Sequence, residues 1–218
     1  MIYSSNIGSV KMALDAGTDR QRAFLQKIGM LSAPSFELPE VGSPLVPSPW
    51  REINTMTIAF GHGLSVSPLQ LVSGVSALVN GGVLYPATLL RRPGDAPPGG
   101  TREGTGRNAD TLAYPVGGKT GTAEKVGGKG YKRKALVSSF VGAFPIDDPK
   151  FVILAMLDEP QGTKDTYGYA TGGWVAAPVV KAVVSQAGAL LGLPPRIQPQ
   201  QDRRVVEASA SVRRTATQ

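Results

Sequence analysis

Four apolar stretches crowd the second half of this chain and restrict its fold more than anything else in it. Leu112 to Lys125, Leu136 to Phe144 and Phe151 to Asp158 are strand-length runs. Pro145-Ile146-Asp147-Asp148-Pro149 separates the last two, and a proline- and aspartate-rich link of that length reads as a hairpin turn. Val175 to Leu193, the fourth stretch, has the length of a helix and enough apolar residues to cover a sheet face. The pattern predicts a three-stranded antiparallel sheet closed by that helix. It predicts that one set of sheet residues, Leu136, Val141 and Phe144 or else Val152, Leu154 and Met156, is buried against it.

The first half reads as helical, which makes the fold class α+β. Ile7, Val10 and Leu14 recur at helical spacing, and Gly17 stops the run after Ala16. Ser4, Ser5 and Asn6 precede it, in the place of helix caps. A second helix is predicted from Asp19 to Ile28, and five prolines between residues 32 and 50 predict an irregular surface loop. Phe60-Gly61-His62-Gly63-Leu64 reads as a tight turn. Ser67-Pro68 opens a helix that runs to Gly81 and is apolar on so many sides that burial is expected. Val83 to Leu90 reads as a short strand, and residues 91–110 are rich in glycine, proline and charge.

Several function classes drop out on residue inventory. The chain has no cysteine, and His62 is its lone histidine, so disulfides, thiol chemistry and a histidine-rich metal site are excluded, and no Ser-His-Asp triad is expected around His62. No charge-free apolar run approaches the length of a membrane span. The net charge is +7. Part of it lies in residues 196–218, where five arginines outnumber Asp202 and Glu207 and no aromatic residue occurs. That composition is expected of a basic disordered tail beyond a domain spanning residues 1–195, and without a nucleic-acid-binding motif it predicts no nucleic-acid partner.

The chemistry concentrates in Gly117-Gly118-Lys119-Thr120-Gly121-Thr122-Ala123-Glu124-Lys125. Lys119 supplies a point charge, and Thr120 and Thr122 supply hydroxyls that share one side of an extended strand. Gly118 and Gly121, lacking Cβ, leave room for a ligand to lie against the backbone. Such a strip suits a carboxylate or a peptide backbone. A phosphate loop fails, because its first glycine would fall where Ala113 stands. An isolated Lys-Thr-Gly reads more readily as a hairpin turn with a solvated lysine, so the rest of the chain decides.

Read together, the motifs resemble class B penicillin-binding proteins, and in particular division-specific peptidoglycan D,D-transpeptidases of the FtsI type. Ser4-Ser5-Asn6 matches the S-x-N motif and Lys119-Thr120-Gly121-Thr122 matches K-T-G-T. The run from Phe60 to Leu71 is similar to their F-G-x-G-L-x-V-[ST]-P-L-Q-L stretch, and Ala170-Thr171-Gly172-Gly173 is family-like as well. The resemblance covers about residues 1–195. It implies a penicillin-binding transpeptidase fold, incomplete in this chain, on the periplasmic side of the bacterial inner membrane.

It also implies a reaction. A serine attacks the D-Ala-D-Ala bond of a peptidoglycan stem peptide, and the acyl group passes to an amine of a neighbouring strand. Ser4 would relay a proton, Asn6 would hold the substrate amide, and Lys119 would set the electrostatics. Thr120 and Thr122, with Gly121 between them, would bind the terminal carboxylate, and the Thr122 N–H would be one oxyanion donor. No cofactor or metal is called for. β-Lactams would enter as acylating mimics, and divisome membrane proteins would be partners. The family's S-x-x-K pair is missing, since no lysine here has serine three positions before it. The nucleophile segment is thus expected upstream, leaving this chain inactive alone. Arg102-Glu103-Gly104-Thr105-Gly106 follows a loop where the family has a helix. The competing reading is a non-catalytic module that binds peptides or a partner along the Lys-Thr-Gly strand.

Overall fold

The computed structural model describes residues 4–90, 111, 113–127 and 130–195. Helices α1 (Asn6–Ala16) and α2 (Thr18–Lys27) lie where the periodicity places them. Ser5 caps α1 by accepting the Gly8 N–H at 3.1 Å, and Gly17, at φ 89°, ends it. Glycine suits that turn because left-handed φ costs it nothing. The proline-rich segment is irregular, apart from a bridge between Leu45 and Ser65.

Helix α3 (Glu52–Ile58) has no counterpart in the sequence reading. Seven residues are too few for a visible period, and its stability comes from outside it. Trp50 donates its indole N–H to Thr55 Oγ1, and that hydroxyl donates to Thr18 Oγ1, both at 3.0 Å. Thr55 is fully buried where α3 meets α1 and α2.

Helix α4 (Pro68–Val79) begins with a reciprocal cap. Ser67 Oγ accepts the Gln70 N–H, and the Gln70 side-chain oxygen accepts the Ser67 N–H. Gln70 is buried yet satisfied, because its amide nitrogen also donates to the Gly29 and Ser32 carbonyls. The expected all-round burial of α4 is not met. Its buried residues are Gln70, Gly74 and Ala77, while Leu78 is 56% exposed. Val83 to Leu90 is not a strand either. Asn80 brackets Val83 with two hydrogen bonds, and the Glu37 carboxylate takes the Leu89 N–H, so these groups are served without a sheet neighbour.

The sheet has the expected antiparallel order: β1 (Gly117–Gly127), β2 (Gly130–Phe144), β3 (Phe151–Asp158). β1 starts later than the sequence suggests. The Thr111 hydroxyl binds both the N–H and the C=O of Tyr114, which folds that segment into a turn. β1 and β2 instead run on beyond the strand limits expected at Lys125 and Leu136, pairing Gly127 with Gly130.

Helix α5 (Gly172–Leu190) lays a stripe of small residues on the sheet: Gly172, Ala176, Ala177, Val180, Val184 and Gly188 are all buried. They meet Tyr114, Phe140 and Phe144, with Phe151, Ile153, Ala155 and Leu157 at the border of this core. Of the first expected set Phe144 is buried in this core and Val141 is not, and none of the second set belongs to it. The register pairs Phe144 with Phe151 and Phe140 with Ala155, so even-numbered β2 residues and odd-numbered β3 residues share the α5 face. Val141, Val152, Leu154 and Met156 belong to the other face, and Met156 is 55% exposed. By length and composition α5 could cross a membrane; here its buried stripe faces a sheet. The segment from Arg102 to Gly106 and residues 196–218 fall outside the described residues.

Candidate functional site

β1 is a terminal strand of the sheet, so its outer edge carries Lys119, Thr120, Gly121 and Thr122 without a further strand beside it among the described residues. Alternation divides the motif. Thr120 and Thr122 lie opposite Phe140 and Ser138, on the α5 face, whereas Lys119 lies opposite Val141 on the other. A ligand lying along the edge meets both faces, which a ligand on either face alone would not.

The donors there are largely unspent. Lys119 Nζ donates to the Thr120 carbonyl at 2.9 Å, leaving two ammonium protons. The Thr120 hydroxyl has no partner among the described residues. Thr122 Oγ1 accepts the N–H of Gly172, the first residue of α5, at 3.1 Å. Its own proton is not taken by any described residue.

The glycines of the motif do a different job from the one expected of them. A Cβ on Gly118 would stand 2.2 Å from the Val141 carbonyl oxygen and 2.7 Å from the Phe140 ring. One on Gly121 would stand 2.5 Å from Ser139 Oγ. The space these residues leave is filled by β2, not reserved for a ligand.

The loop from Glu159 to Thr171 brings α5 onto this edge. It is tightly folded: Gly168 N–H donates to Thr163 C=O and Tyr167 N–H to Lys164 C=O. Buried Ser138 anchors its end, donating to the Ala170 carbonyl at 2.5 Å. Tyr167 holds a left-handed φ of 52°, uncommon for a residue with a side chain. It meets Trp174 edge-on, and Tyr169 stacks on the same indole, each at 5.7 Å. Sequence reasoning missed this aromatic group; its available signal was three aromatics within eight residues of a glycine-rich link.

Lys125 closes the far end of β1. A register shift between Glu124 and Val126 releases it from the pairing pattern, and its ammonium reaches Asp158 at 2.8 Å and Glu159 at 2.9 Å across β2. Hydrogen bonds to those two carboxylates hold its pKa above the ordinary lysine value.

Ser4 and Asn6 stand apart from this set in their bonding. Both are exposed, Ser4 with φ 48°, and neither side chain has a hydrogen-bond partner among the described residues. The helix they open packs on α3 and α2. Continuity of β1 thus brings Lys119, Thr120, Gly121 and Thr122 together, and no hydrogen bond joins Ser4 or Asn6 to them.

Comparison with known proteins gives a consistent picture. The family model of the penicillin binding protein transpeptidase domain matches residues 1–95 and 98–185. The chain is 34% identical over 219 residues to the probable peptidoglycan D,D-transpeptidase FtsI of Caulobacter vibrioides, covering 88% of this chain and 37% of that protein. It is 33% identical to stage V sporulation protein D of Bacillus subtilis, covering 88% of this chain and 34% of that one. It therefore spans about a third of the length of these relatives. Among solved structures it is similar to the apo transpeptidase domain of Burkholderia pseudomallei penicillin-binding protein 3, at 33% identity and TM-score 0.75, over 89% of this chain and 64% of that one. Penicillin binding protein 3 of Mycobacterium tuberculosis in complex with ampicillin has a TM-score of 0.75 at 24% identity, over 90% of this chain and 51% of that one, a likeness of fold.

Proposed function

The chain belongs to the penicillin-binding protein transpeptidase domain family, and on that premise we propose that it carries the substrate-anchoring part of a peptidoglycan D,D-transpeptidase. β1 receives the C-terminal D-Ala-D-Ala of a stem peptide along its outer edge. Thr120 and Thr122 donate hydroxyl protons to the terminal carboxylate, Lys119 supplies the balancing charge, and the Thr122 N–H is one donor to the developing oxyanion. Ser4 relays a proton toward the leaving amine and Asn6 binds the substrate amide, which requires Ser4 to come within hydrogen-bond reach of Lys119, directly or through one water. The observation that carries the reading is the row of unspent donors on β1: two ammonium protons and two hydroxyl protons that no described residue accepts.

Acyl transfer also needs a serine nucleophile with a lysine base, and no Ser-x-x-Lys occurs in these 218 residues. Acylation therefore requires a protein that carries that pair as well. Incubation with a fluorescent penicillin, followed by denaturing electrophoresis, tests this. A covalent band is expected from a protein extended through an upstream Ser-x-x-Lys and not from the chain by itself. Stoichiometric labelling of the chain by itself would overturn the assignment, since another serine would then be the nucleophile.

β-Lactams are the inhibitors this site would take, septal cell-wall synthesis at the periplasmic face of the inner membrane is its setting, and divisome membrane proteins are its partners. The edge position of β1 also favours a second reading, a non-catalytic module that binds peptides by strand addition. That reading predicts peptide binding with no penicillin labelling even in the extended protein.

A further inference from the structure

We propose that Gly172 is a positioning residue for the carboxylate site, aiming the Thr122 hydroxyl proton at the ligand. The inference rests on the reading of β1 as the carboxylate-binding strand, and names what makes one of its donors ready.

A threonine hydroxyl can donate one hydrogen bond and accept two, and its proton is free to rotate. At Thr122 that freedom is cut down. The Gly172 N–H donates to Oγ1 at 3.1 Å, so the hydroxyl proton is directed away from Gly172. No described residue offers it an acceptor, and Thr122 is exposed. A hydroxyl that accepts one hydrogen bond also becomes a stronger donor in the next. The carboxylate of a ligand on the strand edge thus meets an O–H already polarised and with one orientation removed.

The link is built into how α5 begins. Thr171 stands at the helix N-cap, yet its side chain makes no capping bond, and the first helical N–H is served from another element. Gly172 alone can sit there, because a Cβ would come 2.2 Å from the Ser139 carbonyl oxygen and 2.6 Å from that of Gly121. Helix α5 therefore starts flush against the backbone of both β1 and β2. The bond from Ser138 to the Ala170 carbonyl, two residues earlier, pins the same approach.

The test compares N-acetyl-D-alanyl-D-alanine with its C-terminal amide, titrated into the isotope-labelled chain and followed by NMR. Wild type and Thr122→Ser are expected to favour the carboxylate form. Thr122→Val is expected to lose that preference by about tenfold, as removal of a hydrogen bond to a charged group implies. Gly172→Ala is expected to lose part of it with the threonine intact. Should Gly172→Ala fail to fold, glycolic acid introduced at position 172 by semisynthesis replaces that N–H with an ester oxygen and adds no Cβ, and the same loss is expected. A Gly172 amide proton that exchanges faster in Thr122→Val supports the link. Full carboxylate preference in the ester chain, or in folded Gly172→Ala, overturns the inference and leaves the carboxylate reading standing. Absence of any preference in wild type overturns both.

Discussion

Lys125 shows how one residue in a bulge ties together elements that the pairing pattern keeps apart. Its ammonium reaches Asp158 and Glu159 across the intervening strand, and those carboxylates raise its pKa. A group whose folded pKa lies above its unfolded one stabilises the fold fully below the unfolded value, about 10.4 for lysine, and stops doing so as pH rises through the folded one. Wild type is therefore expected to lose more melting temperature between neutral and strongly alkaline pH than Lys125→Met does. The neutral-pH difference between the two is expected to shrink in salt, because the pair lies at the surface. Parallel pH profiles for the two proteins would contradict the linkage.

Among the elements, α5 and the α5 face of the sheet carry the core, and the choice of face sets which substitutions matter. Phe140 is fully buried in the cluster with Val180 and Val184. Phe140→Ala is expected to cost about 3–5 kcal/mol, the range for an aromatic truncated in a close-packed core. Met156 points to the opposite face and is 55% exposed, so Met156→Ala is expected to fall well below that. Urea denaturation of the two variants measures the difference directly, and equal midpoints would mean that the sheet face has been misassigned. Leu154 likewise lies outside the α5 core, because its register partner is Val141 and not Phe140.

At the scale of the whole molecule, α4 is the element shared by both halves. Gln70 fastens it to the carbonyls of Gly29 and Ser32, while other residues of the same helix contact β3 and β2. Loss of the sheet therefore strips α4 of part of its packing, and loss of α4 exposes β3. The two tryptophans report on the halves separately: Trp50 sits beside Thr55 with Arg22 over its ring, and Trp174 sits with Tyr167 and Tyr169. Trp50→Phe and Trp174→Phe, each leaving one reporter, are expected to give coincident denaturation midpoints after correction for each substitution's own effect. Separated transitions would show that the halves unfold independently.

Much of this was legible in residue order, and the line between what was and what was not is physical. α1, α2, α4, the hairpin of β2 and β3, and the order of the sheet follow from local period, caps and turn residues, which act over a few positions. The Lys-Thr-Gly strip was visible for the same reason, since a strand's alternation places its side chains without outside help. Short α3 was not, because its stability comes from Thr18 and Trp50 and not from its own seven residues. Val83 to Leu90 looked like a strand, but a strand needs a neighbour, and Asn80 and Glu37 took some of its backbone groups instead. Which face of the sheet is buried depends on register between strands, and a shift of one residue exchanges the two faces. The bond from Gly172 to Thr122 joins positions fifty residues apart. No local pattern encodes such a contact; it exists because α5 starts against the sheet where a side chain would not fit.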